Sequence, residues 1–411
     1  MITKFTNAQI LTNADSPVFK GEIVVENSTI KFVGEKYEGK YDDEINCDGN
    51  LLMAGFINCH AHTPMVLLKG LGEGESLEDW LFKNMIPAEK KMTRKDIYHG
   101  TVLAIKEMIK NGITCFQECY FYPDETLRAC ENTGMRSVVS LSQGYSQQDF
   151  YPIEKVEKMY NDLKGKSSLV DFIFYFHSVY TCNEKQIIDT ISLARKYHKV
   201  VGTHMSETLT EVGDCTQLHG GLTPVGLLDS LGFFDDKCLV AHAVHLDKED
   251  YALLQNKKVS VAHNPSSNLK LGSGIANLKA MQKNGINICL GTDGSASNNK
   301  LDMFREMYLS SVLQKALLSD AKLITPEQAI KMATENGAKA LDNDKIGSLK
   351  VGNYADMIMI NMHSVNNQVC NNIKSNLVYS CGAEDVMMTM VNGKILYYNG
   401  EFTTDFLKNY K

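Results

Sequence analysis

The chain has little of what would tie it to a membrane, a nucleic acid or an oxidising compartment. Its 411 residues contain no apolar run approaching the roughly 20 residues needed to cross a bilayer. The formal charge is −7, so no general attraction to phosphate backbones or anionic lipid is expected. Eight prolines and the absence of any low-complexity tract argue against long disordered segments. The eleven cysteines form no CxxC pair, and a chain of this length needs no disulfide framework. Met1–Leu11 interleaves polar and charged residues with apolar ones, so no secretory signal is visible. These absences predict a reduced, cytoplasmic protein whose partner is a small molecule, with neither nucleic acid nor membrane involved. A homo-oligomer is compatible with them.

What is present is a chain 44% hydrophobic, enough for a sizeable core. Its first 50 residues read as short strands with turn punctuation, at Lys4–Thr12, Gly21–Val25 and Thr29–Val33. The same pattern returns in Ala355–Met362, Val386–Val391 and Lys394–Tyr398. Asn392-Gly393 joins the last two, a strong hairpin signal. The two ends, residues 1–53 and 348–411, are therefore expected to form one composite β-sandwich. Residues 54–347 alternate strand-like and helix-like segments. Eight apolar runs can be counted: Leu51–Ile57, Ile113–Phe116, Ser137–Leu141, Phe172–Phe176, Val200–Thr203, Cys238–Ala241, Val259–Ala262 and Ile286–Leu290. Eight such units predict an α/β fold, a (β/α)₈ TIM-type barrel. An open doubly wound sheet is the rival, but no GxGxxG turn follows the first run.

Barrel active sites stand at the C-terminal ends of the strands. His60 and His62 follow the first run, His204 and then Glu207 the fifth, His242 the sixth and Asp293 the eighth. Three imidazoles and a carboxylate suit Zn²⁺, or a similar ion such as Fe²⁺. An HxH pair alone is a weak signal, because strand histidines often only satisfy hydrogen bonds. Here, however, five of the eleven histidines (His60, His62, His177, His204 and His242) stand just after barrel strands, where packing gives no reason for them to gather.

The ordered motifs Gly55-Phe56-Ile57-Asn58-Cys59-His60-Ala61-His62, Thr203-His204-Met205-Ser206-Glu207-Thr208, Ala241-His242, His263-Asn264-Pro265-Ser266-Ser267-Asn268 and Gly291-Thr292-Asp293-Gly294-Ser295 resemble the amidohydrolase superfamily. The chain is most similar to its methylthioadenosine/S-adenosylhomocysteine deaminases and their chlorohydrolase and guanine deaminase relatives. The resemblance implies one divalent metal, held by His60, His62, His204 and Asp293; no lysine stands after the fourth strand to bridge a second ion. It implies that Glu207 protonates the ring nitrogen beside the attacked carbon, that Asp293 accepts a proton from water, and that His242 orients the nucleophile. It also implies that Glu89 and His177 bind ribose. Trp80, the only tryptophan, either stacks on the base or packs the lid. His263 is left out of the ligand set, and His245 reads as an ordinary histidine.

The chain departs from this pattern at one place. Relatives that accept S-adenosylhomocysteine use arginines near the third strand for the amino-acid carboxylate. Here no arginine stands between Arg136, at the strand's start, and Arg195; Ser142, Gln143 and Tyr145 offer only neutral groups. The expected reaction is deamination of an adenine nucleoside (adenosine, 5′-deoxyadenosine or methylthioadenosine) in preference to S-adenosylhomocysteine. Guanine, pterin or triazine substrates are the alternative. A non-catalytic scaffold would be marked by lost site residues, and none is lost.

Overall fold

The computed structural model describes residues 1–144 and 151–411; Tyr145 lies outside them. Eight strands pair in sequence order: β1 (Phe56–Ala61), β2 (Ile113–Glu118), β3 (Arg136–Leu141), β4 (Val170–Tyr175), β5 (Val201–Met205), β6 (Cys238–His242), β7 (Val259–His263) and β8 (Asn287–Leu290). Every pairing is parallel. Helices including Arg94–Lys110, Pro123–Thr133 and Glu184–Tyr197 supply the crossovers. Just past β8 the ring closes: Asp293 N–H donates to His60 O at 2.9 Å, and the Asn58 side chain binds Thr292 at both N–H and hydroxyl.

One apolar cluster takes side chains from strands all around the ring, among them Ile57, Cys115, Val138, Ile173, Leu239 and Cys289, and so fills the barrel. Alternate residues such as Phe116, Val139, Phe172, Val240 and Ile288 pack outward under the helices. The period-2 alternation of a strand makes this division.

Both chain ends join in one nine-stranded mixed sheet. Ile2–Leu11 organises it, pairing in parallel with Asp43–Asn46 through its first half and with Leu51–Ala54 through its second. Leu51–Ala54 pairs antiparallel with Met357–Ile360, which carries the later strands. The same alternation ties this sheet to the barrel. Leu52, Ala54, Met357 and Met359 enter a small separate core, whereas Leu51, Met53, Ile358 and Ile360 join the main one. The hairpin forms as expected, with Asn392 and Gly393 at φ +52° and +76°.

The run Leu51–Ile57 proves to be two strands rather than one. Gly55 separates them, its N–H donating to Asp356 O at 3.1 Å. A Cβ there would lie 2.1 Å from the Thr114 side chain, so only glycine lets the chain pass from one sheet to the other. The second of these strands runs on past the apolar run to Ala61, so His60 stands within β1. His204 and His242 likewise lie on their strands rather than after them. Among the described residues no helix is long and apolar enough to cross a membrane.

Candidate active site

The ends of β1, β5 and β6 and the turn after β8 bring the candidate residues together. His62 Nδ1 lies 2.6 Å from Cys119 O, and His204 Nδ1 lies 2.6 Å from His177 O. A carbonyl only accepts, so both rings carry a proton on Nδ1 and present Nε2 to each other, 3.4 Å apart. His60 is fully buried and its Nδ1 has no hydrogen-bond partner; its Nε2 is 3.5 Å from Asp293 Oδ1. His62 Nε2 is 3.3 Å from the same oxygen. Facing imidazole lone pairs repel unless a cation lies between them.

The donor atoms of His60, His62 and His204 lie within 4.8 Å of one another, as do those of His60, His242 and Asp293. Two nitrogens held tetrahedrally about 2.0–2.1 Å from one ion would stand about 3.3–3.4 Å apart, close to the observed spacing. The residues present therefore fit a divalent ion.

Electrostatics favour the same occupant. Burial lowers the His60 pKa to about 4, and burial with neighbouring imidazoles holds His204 well below its usual value. Burial alone would raise Asp293, but hydrogen bonds and charge from His60 and His62 outweigh it and keep the carboxylate ionised. Burial opposes charge on His62 too, yet Asp293 and Glu118 outweigh it and shift the ring upward. A proton and a metal ion compete for that lone pair. The rest of the Asp293 shell is complete: Gly294 N–H at 2.7 Å, Ser267 Oγ at 2.5 Å and Ser297 Oγ at 3.1 Å.

Glu207 stands two residues past β5, buried, with Oε2 3.6 Å from His242 Nε2 and Oε1 accepting the Ser273 hydroxyl at 3.1 Å. Burial raises its pKa, with His242 opposing the shift. A carboxyl held this way can carry a proton to a substrate. His242 Nδ1 is 2.7 Å from Asn268 Oδ1, which leaves its Nε2 toward the cluster. Four non-glycine residues here adopt left-handed backbone: Ser206, His242, Ala243 and Asp293, at φ +51°, +73°, +47° and +59°. Such conformations cost of order 1–3 kcal/mol each and persist where surrounding structure holds them.

A cleft of ≈ 690 Å³ opens over this cluster, with Glu89, His177 and Trp80 in the same wall as His62, His204, Glu207, His242 and Asp293. Burial raises the Glu89 carboxyl, beside Tyr120. His177 Nδ1 is 2.9 Å from the Thr181 hydroxyl. Trp80 packs with Leu77, Leu81, Met85 and Ile97 while edging the cleft. Past Glu89 and Tyr120 a second cleft of ≈ 1310 Å³ continues, walled by Ser140, Ser142, Tyr151, Arg94 and Lys155 among others. Arg94 is ion-paired with Asp124 and Glu125. The Lys155 ammonium sits 3.6 Å over the Tyr151 ring. Arg136 lies at the far end of its strand, bound to Asp356, and Lys69 pairs with Glu107 at 2.8 Å.

Sequence reading missed several contributors. Ser267 and Asn268, in the same motif as His263 but given no role from the sequence, bind Asp293 and His242. Glu118 accepts the Thr63 N–H at 3.0 Å and so fixes the residue after His62. His245, read as ordinary, donates from Nε2 to Ser273 O at 2.6 Å, behind Glu207. The spacing Ser206-Glu207…His245 gives no hint of this, because the contact crosses from one strand loop to the next.

A parallel barrel with imidazoles and a carboxylate converging at its strand ends is the layout of a metal-dependent hydrolase. Residues 51–396 match the Amidohydrolase family, and the chain belongs to it. It is 38% identical over 394 residues to the 5-methylthioadenosine/S-adenosylhomocysteine deaminase of Thermococcus sibiricus, covering 95% of this chain and 92% of the relative. It is also 38% identical over 410 residues to the protein of that name from Acetivibrio thermocellus, covering 97% and 94%. Among solved structures, an adenosine deaminase from Xanthomonas campestris with bound zinc superposes with a TM-score of 0.92 at 29% identity, covering 100% of this chain and 96% of that one.

Proposed function

We propose that the chain is a hydrolytic deaminase of adenine nucleosides that works with one divalent cation, zinc ahead of iron. The observation that carries this reading is the buried Glu207 carboxyl, raised in pKa and facing the same cleft as the paired imidazoles. Relatives named as deaminases of such nucleosides, similar over nearly the full length, support the substrate class.

In this reading His60, His62, His204 and Asp293 hold the cation. When bound, a divalent ion supplies Lewis acidity that can bring the pKa of water from about 15.7 toward 7. Asp293, ionised by its neighbours, accepts the proton that water gives up. His242, tied to Asn268, orients the attacking oxygen toward the amino-bearing carbon. Glu207 delivers its proton to the adjacent ring nitrogen; the amino group then takes the proton held by Asp293 and leaves as ammonia, while the oxygen stays on the carbon as a carbonyl and returns its remaining proton to Glu207. Glu89 and His177 take the ribose hydroxyls, and Trp80 closes the wall over the base.

The 5′ side of the nucleoside then points toward the second cleft. Arg94 is already neutralised there, and Lys90 and Lys155 offer separate ammonium groups rather than a bidentate clamp. Adenosine, 5′-deoxyadenosine and methylthioadenosine are therefore better substrates than S-adenosylhomocysteine, whose carboxylate would lose water for weak partners.

Ammonia release by the metal-loaded protein from these nucleosides, beside guanine, a pterin and cytosine, tests the reading. Turnover confined to adenine nucleosides is expected. Turnover of guanine or the pterin alone would overturn it.

A further inference from the structure

Helix Leu209–Leu218 begins directly after Thr208, whose hydroxyl accepts the Glu211 N–H at 3.1 Å as an N-cap. In the usual capping box the third helical residue bonds back to the cap's own N–H. Glu211 instead reaches past the cap. Its Oε1 accepts the Ser206 N–H at 2.9 Å and its Oε2 the Glu207 N–H at 2.7 Å. Both donors lie outside the helix, so helix formation does not require these bonds. Glu211 is almost fully buried, and burial pushes its carboxyl up to about 7.

Ser206, in its left-handed conformation, carries the constraint to the next loop. Its carbonyl accepts the N–H groups of Val244 and His245 at 3.0 and 2.9 Å. His245 Nε2 donates to Ser273 O, and the Ser273 hydroxyl donates to Glu207 Oε1. The bonds close a ring from the Glu207 main chain through Glu211, Ser206, His245 and Ser273 to the Glu207 carboxyl. With Oε1 fixed in this way, Oε2 is left on the His242 side of the cleft.

We propose that Glu211 and His245 are positioning residues that aim the Glu207 carboxyl through this ring. The inference rests on the reading of Glu207 as the proton donor. Without the ring, Glu207 keeps its chemistry but samples rotamers in which no oxygen faces the substrate nitrogen. A displacement near 1 Å at a reacting group costs up to about 10²-fold in rate.

His245 gives the cleaner test, since removing the buried Glu211 carboxyl would leave the Ser206 and Glu207 N–H groups unpaired. His245→Ala should lower kcat at least about tenfold, with KM, melting temperature and metal per chain close to wild type. His245→Gln, whose amide can donate in place of Nε2, should recover most of the loss. In a Glu207→Gln background, His245→Ala should change kcat no further, because the group it aims is gone. Additive losses in that background would overturn the proposal, as would a His245→Ala protein with normal kcat. So would a loss tracking metal content or melting temperature. A wild-type protein that deaminates no adenine nucleoside would overturn both this proposal and the functional reading; an active wild type indifferent to His245→Ala would overturn this one alone.

Discussion

Two clusters of charged groups lie equally deep at opposite ends of the barrel, and they differ in how completely they are satisfied. At the start of β3, Arg136 Nε lies 2.5 Å from Asp356 Oδ2 and its Nη2 3.2 Å from Oδ1. The Asn392 N–H donates to the same carboxylate at 2.7 Å, and the guanidinium sits over the Tyr354 ring at 4.3 Å. Each group there has its partners. At the mouth, His60 Nδ1 has none, two imidazole lone pairs face each other, and four residues hold left-handed backbone. Burial of charge therefore does not mark function in this molecule. The concentration of unfinished hydrogen bonding and local strain at one place does, because each costs free energy that the fold alone does not return.

The sharpest way to break this contrast is at the mouth. Asp293→Ala or His204→Ala should abolish turnover and lower the metal bound per chain, because a reduced donor set neither retains the ion nor acidifies water. Full activity with no bound transition metal by elemental analysis would end the comparison. Glu207→Gln should leave metal content unchanged while kcat falls by at least about 10²-fold, since the amide has no proton to give. Near-normal turnover in that variant would remove Glu207 from the reaction.

At the other end the effect should be on stability alone. Arg136→Ala leaves Asp356 buried and unpaired, at a cost of about 3–5 kcal/mol measurable by denaturant unfolding. The kcat of the folded enzyme should be unchanged. Replacing both partners with apolar residues, Arg136→Met with Asp356→Leu, should recover much of that loss; a double variant as unstable as the single one would show that the pair does more than satisfy itself.

The smallest effect concerns the second cleft. Methylthioadenosine should exceed S-adenosylhomocysteine in kcat/KM by about tenfold, equivalent to about 1.4 kcal/mol of transition-state binding. Lys155→Ala should widen the gap further. Equal kinetics for the two substrates would mean that a cation does reach the carboxylate.

The elements that depend on local pattern were legible in the chain. The hairpin Val386–Val391/Lys394–Tyr398 falls where the apolar runs and Asn392-Gly393 put it, because turns are encoded within a few residues. So was the list of residues at the strand ends, since a parallel barrel delivers successive strand C-termini to one face whatever the intervening helices contain. Other features depended on tertiary structure. The division of Leu51–Ile57 at Gly55 follows from Thr114, 59 residues away in the chain, leaving no room for a Cβ. The way His62 and His204 turn Nε2 toward each other is set by carbonyls of Cys119 and His177, just past neighbouring strands. The ring through His245 and Ser273 links three loops. Apolar spacing repeats along one chain and can be counted there; a hydrogen bond across the barrel mouth has no period, and appears only once the sheet has closed.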